Sequence, residues 1–150
     1  MNKEIFNEGH IVFDKEATSR EAAFRKIAAA AFEKGFVASA EDYYQGLVAR
    51  EQEATTGFKD GIAIPHCKNK TVFKPGVFLM KFEQPIEWNA LDKKPIHAAF
   101  ALTIPEEGAT DHLKLLSLIA RKLIDDDFRN GILNETDPAK LTEIMNQISY

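Results

Sequence analysis

A chain of 150 residues with 45% apolar side chains and 11 phenylalanines fits one domain with a substantial core. A net charge of −4 gives no general attraction to nucleic acid, whose recognition calls for a basic face. The single cysteine excludes an internal disulfide and points to a reducing compartment.

His10 to Phe13 reads as a short first strand. Thr18 and Glu21 have the capping-box spacing, the threonine oxygen facing an orphan amide and the glutamate reaching back. The helix they open runs to Gly35, a good left-handed stop, with Phe24, Ile27, Ala28 and Ala31 on its apolar side and Phe32 at the edge. A second helix opens at Ser39, with Asp42 three residues on, buries Tyr44, Leu47 and Val48, and ends near Arg50. Residues 51–60 are polar, contain Gly57, and read as a loop.

The run Ile62 to Ile64 favours an extended, buried strand, and Pro65, which cannot donate to a ladder, stops it. Val77 to Phe82 is the next strand, closed by a turn around Gln84-Pro85. Ile96 to Ile104 is the longest, and its near-continuous apolar character predicts burial on both faces. Thr110 can cap a helix that carries Leu113, Leu116, Ala120 and Leu123 along one face; Asp125-Asp126-Asp127 reads as its solvated end. Asp137-Pro138 opens a last helix that buries Leu141, Ile144 and Ile148. Helices at both ends around a central group of strands predict a layered α/β domain.

No repeat or Gly/Ser/Pro-rich linker divides the chain, so residues 1–150 are expected to form one domain with a core at about 4–148. The opening Met-Asn-Lys-Glu-Ile-Phe-Asn-Glu has no signal-type apolar stretch, and no apolar run approaches a membrane span. A cytoplasmic protein with no nucleic-acid role and no direct membrane insertion is therefore expected.

His66 carries the most chemical promise. It follows a short strand closed by a proline, held by a rigid frame yet free of the sheet, and imidazole is nucleophilic near neutral pH without help. Its bland alternative is a solvated histidine at a strand end. His112 sits at about the second position of a helix, where free backbone amides can cradle an anion. Arg50 near a helix end suits the dipole, which alone would explain it. Thr56 could donate a hydroxyl to a bound group or shape the turn before Gly57, and both readings stand.

Cys67 invites a thiol-enzyme reading, but neighbours along a strand point opposite ways, and Cys–His pairs are assembled by folding rather than by adjacency. It reads as a packed, inert thiol. His97, inside an apolar strand, reads as a satisfied structural histidine, and His10 carries no signal. No pair among His66, Cys67, His97 and His112 has the spacing of a known metal motif, so no metal site is expected.

Gly61-Ile62-Ala63-Ile64-Pro65-His66 resembles the phosphorylation-site signature of enzyme IIA domains of the bacterial sugar phosphotransferase system, fructose/mannitol class. Upstream Arg50-Glu51 and Thr55-Thr56-Gly57 match the approach to that site, and downstream Asp111-His112-Leu113 with Leu116 and Ala120 matches a histidine-led helix. The resemblance covers roughly residues 4 to 148. Two places depart from it: Lys59-Asp60 stands where the family often carries Gly-Asn, and Cys67 where a small residue is usual.

The resemblance implies a mixed central sheet flanked by helices on both faces. It implies that His66 accepts a phosphoryl group from the phosphohistidine of HPr and passes it to the cysteine of an enzyme IIB, with a membrane enzyme IIC downstream. His112 would lie beside His66 and orient the phosphoryl, and Arg50 would point into the site and stabilise its charge. No nucleotide, cofactor or metal is implied, and the sugar is not expected to touch this domain, so fructose is a lean only. A nitrogen-related branch of similar sequence, signalling through phosphorylation state and protein binding, is the rival reading.

Overall fold

The computed structural model describes the backbone of residues 1–150 and every side chain except those of residues 109–111. In chain order the elements are β1 (Ile11–Asp14), α1 (Arg20–Glu33), α2 (Ala40–Glu53), β2 (Gly57–Lys59), β3 (Ile62–Ala63), β4 (His66–Lys68), β5 (Gly76–Ile86), β6 (Ile96–Ile104), α3 (Ala109–Lys122), α4 (Asp126–Asn134) and α5 (Pro138–Met145). The strands form one mixed sheet in the order β1-β5-β6-β3-β2, with β4 pairing β6 as well. β1 runs parallel to β5, β5 antiparallel to β6, and both β3 and β4 parallel to β6. The expected α/β architecture, a mixed sheet with helices on both faces, is what the chain adopts.

β6 is the axis. Apart from His97 its residues are buried, because strands lie on both sides of it and helices on both faces. Phe78, Met80 and Ala101 face Phe24, Ile27 and Leu47 on the α1/α2 side. Leu79, Phe100 and Leu102 face Leu115, Ile119, Phe128 and Leu141 on the α3–α5 side. Among the described residues no helix is long and apolar enough to cross a membrane.

Local chemistry explains both the matches and the shifts. Ser19, not Thr18, caps α1 by accepting from Ala22 N–H at 3.1 Å, so the helix starts one residue later than the capping-box spacing implied. Gly35, at φ +80°, ends it as expected. Ser39 caps α2 through Asp42 N–H, as predicted, but α2 runs to Glu53, and the predicted loop also yields β2. Tyr43 rather than Tyr44 enters the core, its hydroxyl donating to Leu102 O at 2.6 Å, while Arg25 lies over the outer Tyr44 ring. β5 continues through Pro85 to Ile86, because its register on β6 shifts between Lys81 and Ile86 and no ladder donor is demanded of the proline.

The largest departures lie after β6. Leu115 and Ile119 are buried with Leu123, whereas Leu113 is exposed, so the inner stripe of α3 is rotated from the predicted one. The capping role expected of Thr110 lies outside the described side chains. The Asp125 run opens α4 rather than closing α3: Asp125 accepts from the amides of Asp127 and Phe128, and Asp126 bonds Arg129. Lys81 caps the other end of α4, donating to the carbonyls of Ile132, Leu133 and Glu135. Asp137 and Pro138 open α5 as predicted.

α2 lies close on β4 because Gly46 has no side chain. A methyl at Gly46 would overlap Sγ of Cys67. Gly46→Ala should therefore cost about 1–3 kcal/mol in denaturant unfolding despite the better helix former. Combined with Cys67→Ala the cost should vanish, giving strongly non-additive stabilities. Additive effects would show that this contact does not set the helix–strand distance.

Candidate functional site

β3 and β4 lie end to end along β6. Ala63 stands beside Ala99 and His66 beside Leu102, so the register is carried across Ile64-Pro65 without a slip. His66 is thus the first residue of an edge strand rather than free of the sheet, because pairing with β6 resumes as soon as the proline is passed. Cys67 packs in the α1/α2 core, whereas His66 stands in register with Leu102, whose side chain lies in the α3–α5 core.

Nδ1 of His66 lies 2.8 Å from the carbonyl oxygen of Ile64. A carbonyl can only accept, so Nδ1 carries the proton and Nε2 keeps its lone pair. Burial pushes the ring below the ordinary histidine value; the bond to Ile64 opposes this, and the Arg50 charge adds to the lowering. The site therefore holds a neutral imidazole with one nitrogen committed and the other available.

Among the described residues no strand pairs the outer edge of β4. The last turns of α2 stand over it instead, and His66, Cys67 and Asn69 with Gly46, Ala49 and Arg50 border a cavity of ≈ 430 Å³. Arg50 donates from Nη1 to Ala54 O at 2.9 Å, closing its own helix. A guanidinium has five donors in a planar fork, so the helix-end role and a role toward the cavity are compatible.

His112 is the fourth residue of α3, not about the second, because the helix begins at Ala109. With Lys70, Phe73, Pro105 and Glu107 it borders a second cavity of ≈ 430 Å³ that shares no lining residue with the first. Its Nδ1 is buried and has no hydrogen-bond partner among the described residues. The structure thus brings Arg50 and His66 to one cavity and places His112 at the next.

Cys67 is buried, and burial pushes its thiol up to about 11. At neutral pH it stays protonated and non-nucleophilic. His97 is exposed at the start of β6 rather than satisfied in the core. His10, which carried no sequence signal, is buried, with Nδ1 between the carbonyls of Ile5 and Val77 and its ring stacked on Phe78. Among the described residues no group of three or more His, Cys, Asp or Glu is placed to hold a metal ion.

In the sequence, Glu51 has a place in the family-like approach to the site but no role of its own. Its side chain is 2% exposed, and it accepts from Thr56 N–H at 2.7 Å and Thr56 Oγ1–H at 2.5 Å. The Thr56 hydroxyl is thereby committed, which decides between its two readings in favour of shaping the turn. A signal was present: Tyr43, Leu47 and Glu51 fall at i, i+4 and i+8, so a charged residue stands in the buried stripe of α2.

The family description "Phosphoenolpyruvate-dependent sugar phosphotransferase system, EIIA 2" matches residues 4–148. A fructose-specific EIIA component of the phosphotransferase system from Haloferax volcanii is 30% identical over 92% of this chain and 90% of its own length. The crystal structure of nitrogen regulatory protein IIA-Ntr from Neisseria meningitidis superposes with a TM-score of 0.87 at 29% identity, covering 95% of this chain and 97% of that one. The mannitol IIA of Escherichia coli, solved in complex with phosphorylated enzyme IIB, shares the fold at a TM-score of 0.80 and 16% identity, over 95% of this chain and 97% of its own.

The influence of the Arg50 charge on the His66 ring can be read directly. Arg50→Gln should raise the midpoint of the His66 titration, followed by NMR, because one of the causes that lower it is removed. An unmoved or lower midpoint would show that the guanidinium does not face the ring.

Proposed function

The chain belongs to the EIIA 2 family of the phosphoenolpyruvate-dependent sugar phosphotransferase system, and we propose that it is a phosphocarrier in which Nε2 of His66 is the acceptor. HPr supplies the phosphoryl group from its own phosphohistidine, and the cysteine of an enzyme IIB takes it on, with a membrane enzyme IIC downstream. The observation that carries this reading is the Nδ1 to Ile64 bond, which leaves one nitrogen of a neutral ring free for attack.

In the first transfer the N–P bond of the donor breaks as the bond from Nε2 to phosphorus forms, and the donor imidazole leaves with its electron pair. In the second, a thiolate attacks the same phosphorus and His66 leaves. The group arrives activated as a phosphoramidate, so catalysis is positioning and charge stabilisation along an in-line displacement. Arg50 supplies fixed positive charge at the cavity and two-point recognition of phosphoryl oxygens. His112 serves as an orienting residue; as the Nδ1–H tautomer it is a donor that waits for an acceptor. The protein acts as one domain over residues 1–150, in the cytoplasm, beside a membrane partner rather than within the bilayer.

Fructose-type uptake is the first reading of its biological role, supported by the Haloferax volcanii relative. A regulatory role through phosphorylation-dependent protein binding is the second, favoured by the likeness to the Neisseria meningitidis nitrogen regulatory protein. The two share one acceptor chemistry and differ in where the phosphoryl group goes next.

Incubation with phosphoenolpyruvate, enzyme I and HPr should place one acid-labile, alkali-stable phosphoryl group per chain on His66. His66→Ala should abolish it, Cys67→Ala should leave uptake near parental, and Arg50→Lys should slow it by about tenfold or more. Label that persists in His66→Ala, or is lost in Cys67→Ala, would reject the phosphocarrier reading. Delivery to candidate IIB proteins separates uptake from regulation.

A further inference from the structure

Glu51 is an odd residue where it stands. It lies in the last turn of α2, where the helix dipole disfavours negative charge, and its carboxylate is withdrawn from water. A buried carboxylate persists only where fixed donors compensate it, and breaking such a set is costly. Here Thr56 supplies an amide and a hydroxyl at 2.7 and 2.5 Å, and Arg20 Nη1 stands 3.8 Å away. The same Arg20 nitrogen donates to Trp88 O at 2.9 Å, and Trp88 Nε1 donates to Thr56 Oγ1 at 3.4 Å. The turn after α2 is thus tied to the helix through one carboxylate.

Thr56 then passes this order on. Its carbonyl accepts from Ile64 N–H at 2.9 Å, and the carbonyl of Ile64 accepts from Nδ1–H of His66 at 2.8 Å. Pro65 cannot donate to the sheet, so the strand is interrupted at Ile64 and needs an outside anchor there. The bond from Ile64 N–H to Thr56 is that anchor.

We infer that Glu51 is a positioning residue for the proposed transfer: through Thr56 and Ile64 it fixes the carbonyl that holds His66 in its Nδ1–H tautomer, with Nε2 free. The coupling is mechanical. No proton travels along it, because the N–H and C=O of Thr56 belong to different peptide groups and the prolyl amide at the end has no N–H. Direct partners that orient a metal-bound imidazole shift activity by about 10–100-fold when removed, and Glu51, acting through Thr56 and Ile64, is assigned the low end of that range. The rate part of this inference rests on His66 being the phosphoryl acceptor; the tautomer part does not.

The test reads both parts on the full chain. Ring-nitrogen shifts of unphosphorylated protein should show His66 as Nδ1–H in the parent. Glu51→Gln can still accept from the Thr56 amide while its own amide donates to the hydroxyl, so it should keep the tautomer and most of the rate. Glu51→Ala should give mixed tautomers and phosphoryl uptake from HPr slower by about tenfold at saturating donor. A folded Glu51→Ala with parental tautomer and rate overturns the inference and leaves Glu51 a stability residue. If Glu51→Ala does not fold, Thr56→Val decides, with a mixed tautomer and about threefold slower uptake expected, and parental values overturning it. A parent that takes no phosphoryl from HPr would reject the acceptor reading alone, and the ring shifts would still judge Glu51.

Discussion

Ile64 and His66 are separated by one proline, and the carbonyl of the first takes the Nδ1 proton of the second at 2.8 Å. The site depends on that bond, because an imidazole with a fixed proton presents the other nitrogen as a defined nucleophile. The bond is possible because Pro65 interrupts a strand whose register on β6 is nevertheless preserved. The interruption needs β6 to be a rigid central strand, which the helical layers on both faces of the sheet provide. α2, held close on β4 where Gly46 meets Cys67, also brings Arg50 to the cavity that His66 borders.

Two reactive residue types stand next to each other, and the fold separates them. Cys67 packs in the α1/α2 core, whereas the next-door His66 pairs Leu102 of the α3–α5 core and borders the cavity beside α2. Burial then acts on both but to opposite effect. It keeps the imidazole neutral and hence nucleophilic, and it keeps the thiol protonated and hence inert. Burial alone thus favours the nitrogen over the sulfur as a nucleophile at neutral pH.

Features set by local rules were legible in the residues. The unbroken apolar run of β6, the Ser39 and Asp137 caps, the Gly35 stop and the strand–proline–histidine sequence each depend on neighbours a few positions away. What was missed depends on distant partners. Pairing of β4 with β6 is set across the sheet, so His66 looked free of it. Burial of Tyr43 over Tyr44 turns on a bond to Leu102, and burial of His10 on carbonyls of Ile5 and Val77. α4 is short, and its opening Asp125 looks like the end of α3 until Lys81 is seen capping its far end. At the site His66 stood out from its own surroundings, whereas the pairing of Arg50 with it came from likeness to a family. Glu51 was hidden in plain view, since a lone acid in a helical stripe gains meaning only from what it bonds.

Phosphorylating ring-labelled protein with HPr and recording the one-bond coupling between phosphorus and the His66 ring nitrogens tests the central claim most directly. The Ile64 carbonyl bond predicts coupling to Nε2, with Nδ1 still protonated. Coupling to Nδ1 would contradict it, because that nitrogen could not both bond phosphorus and donate to Ile64.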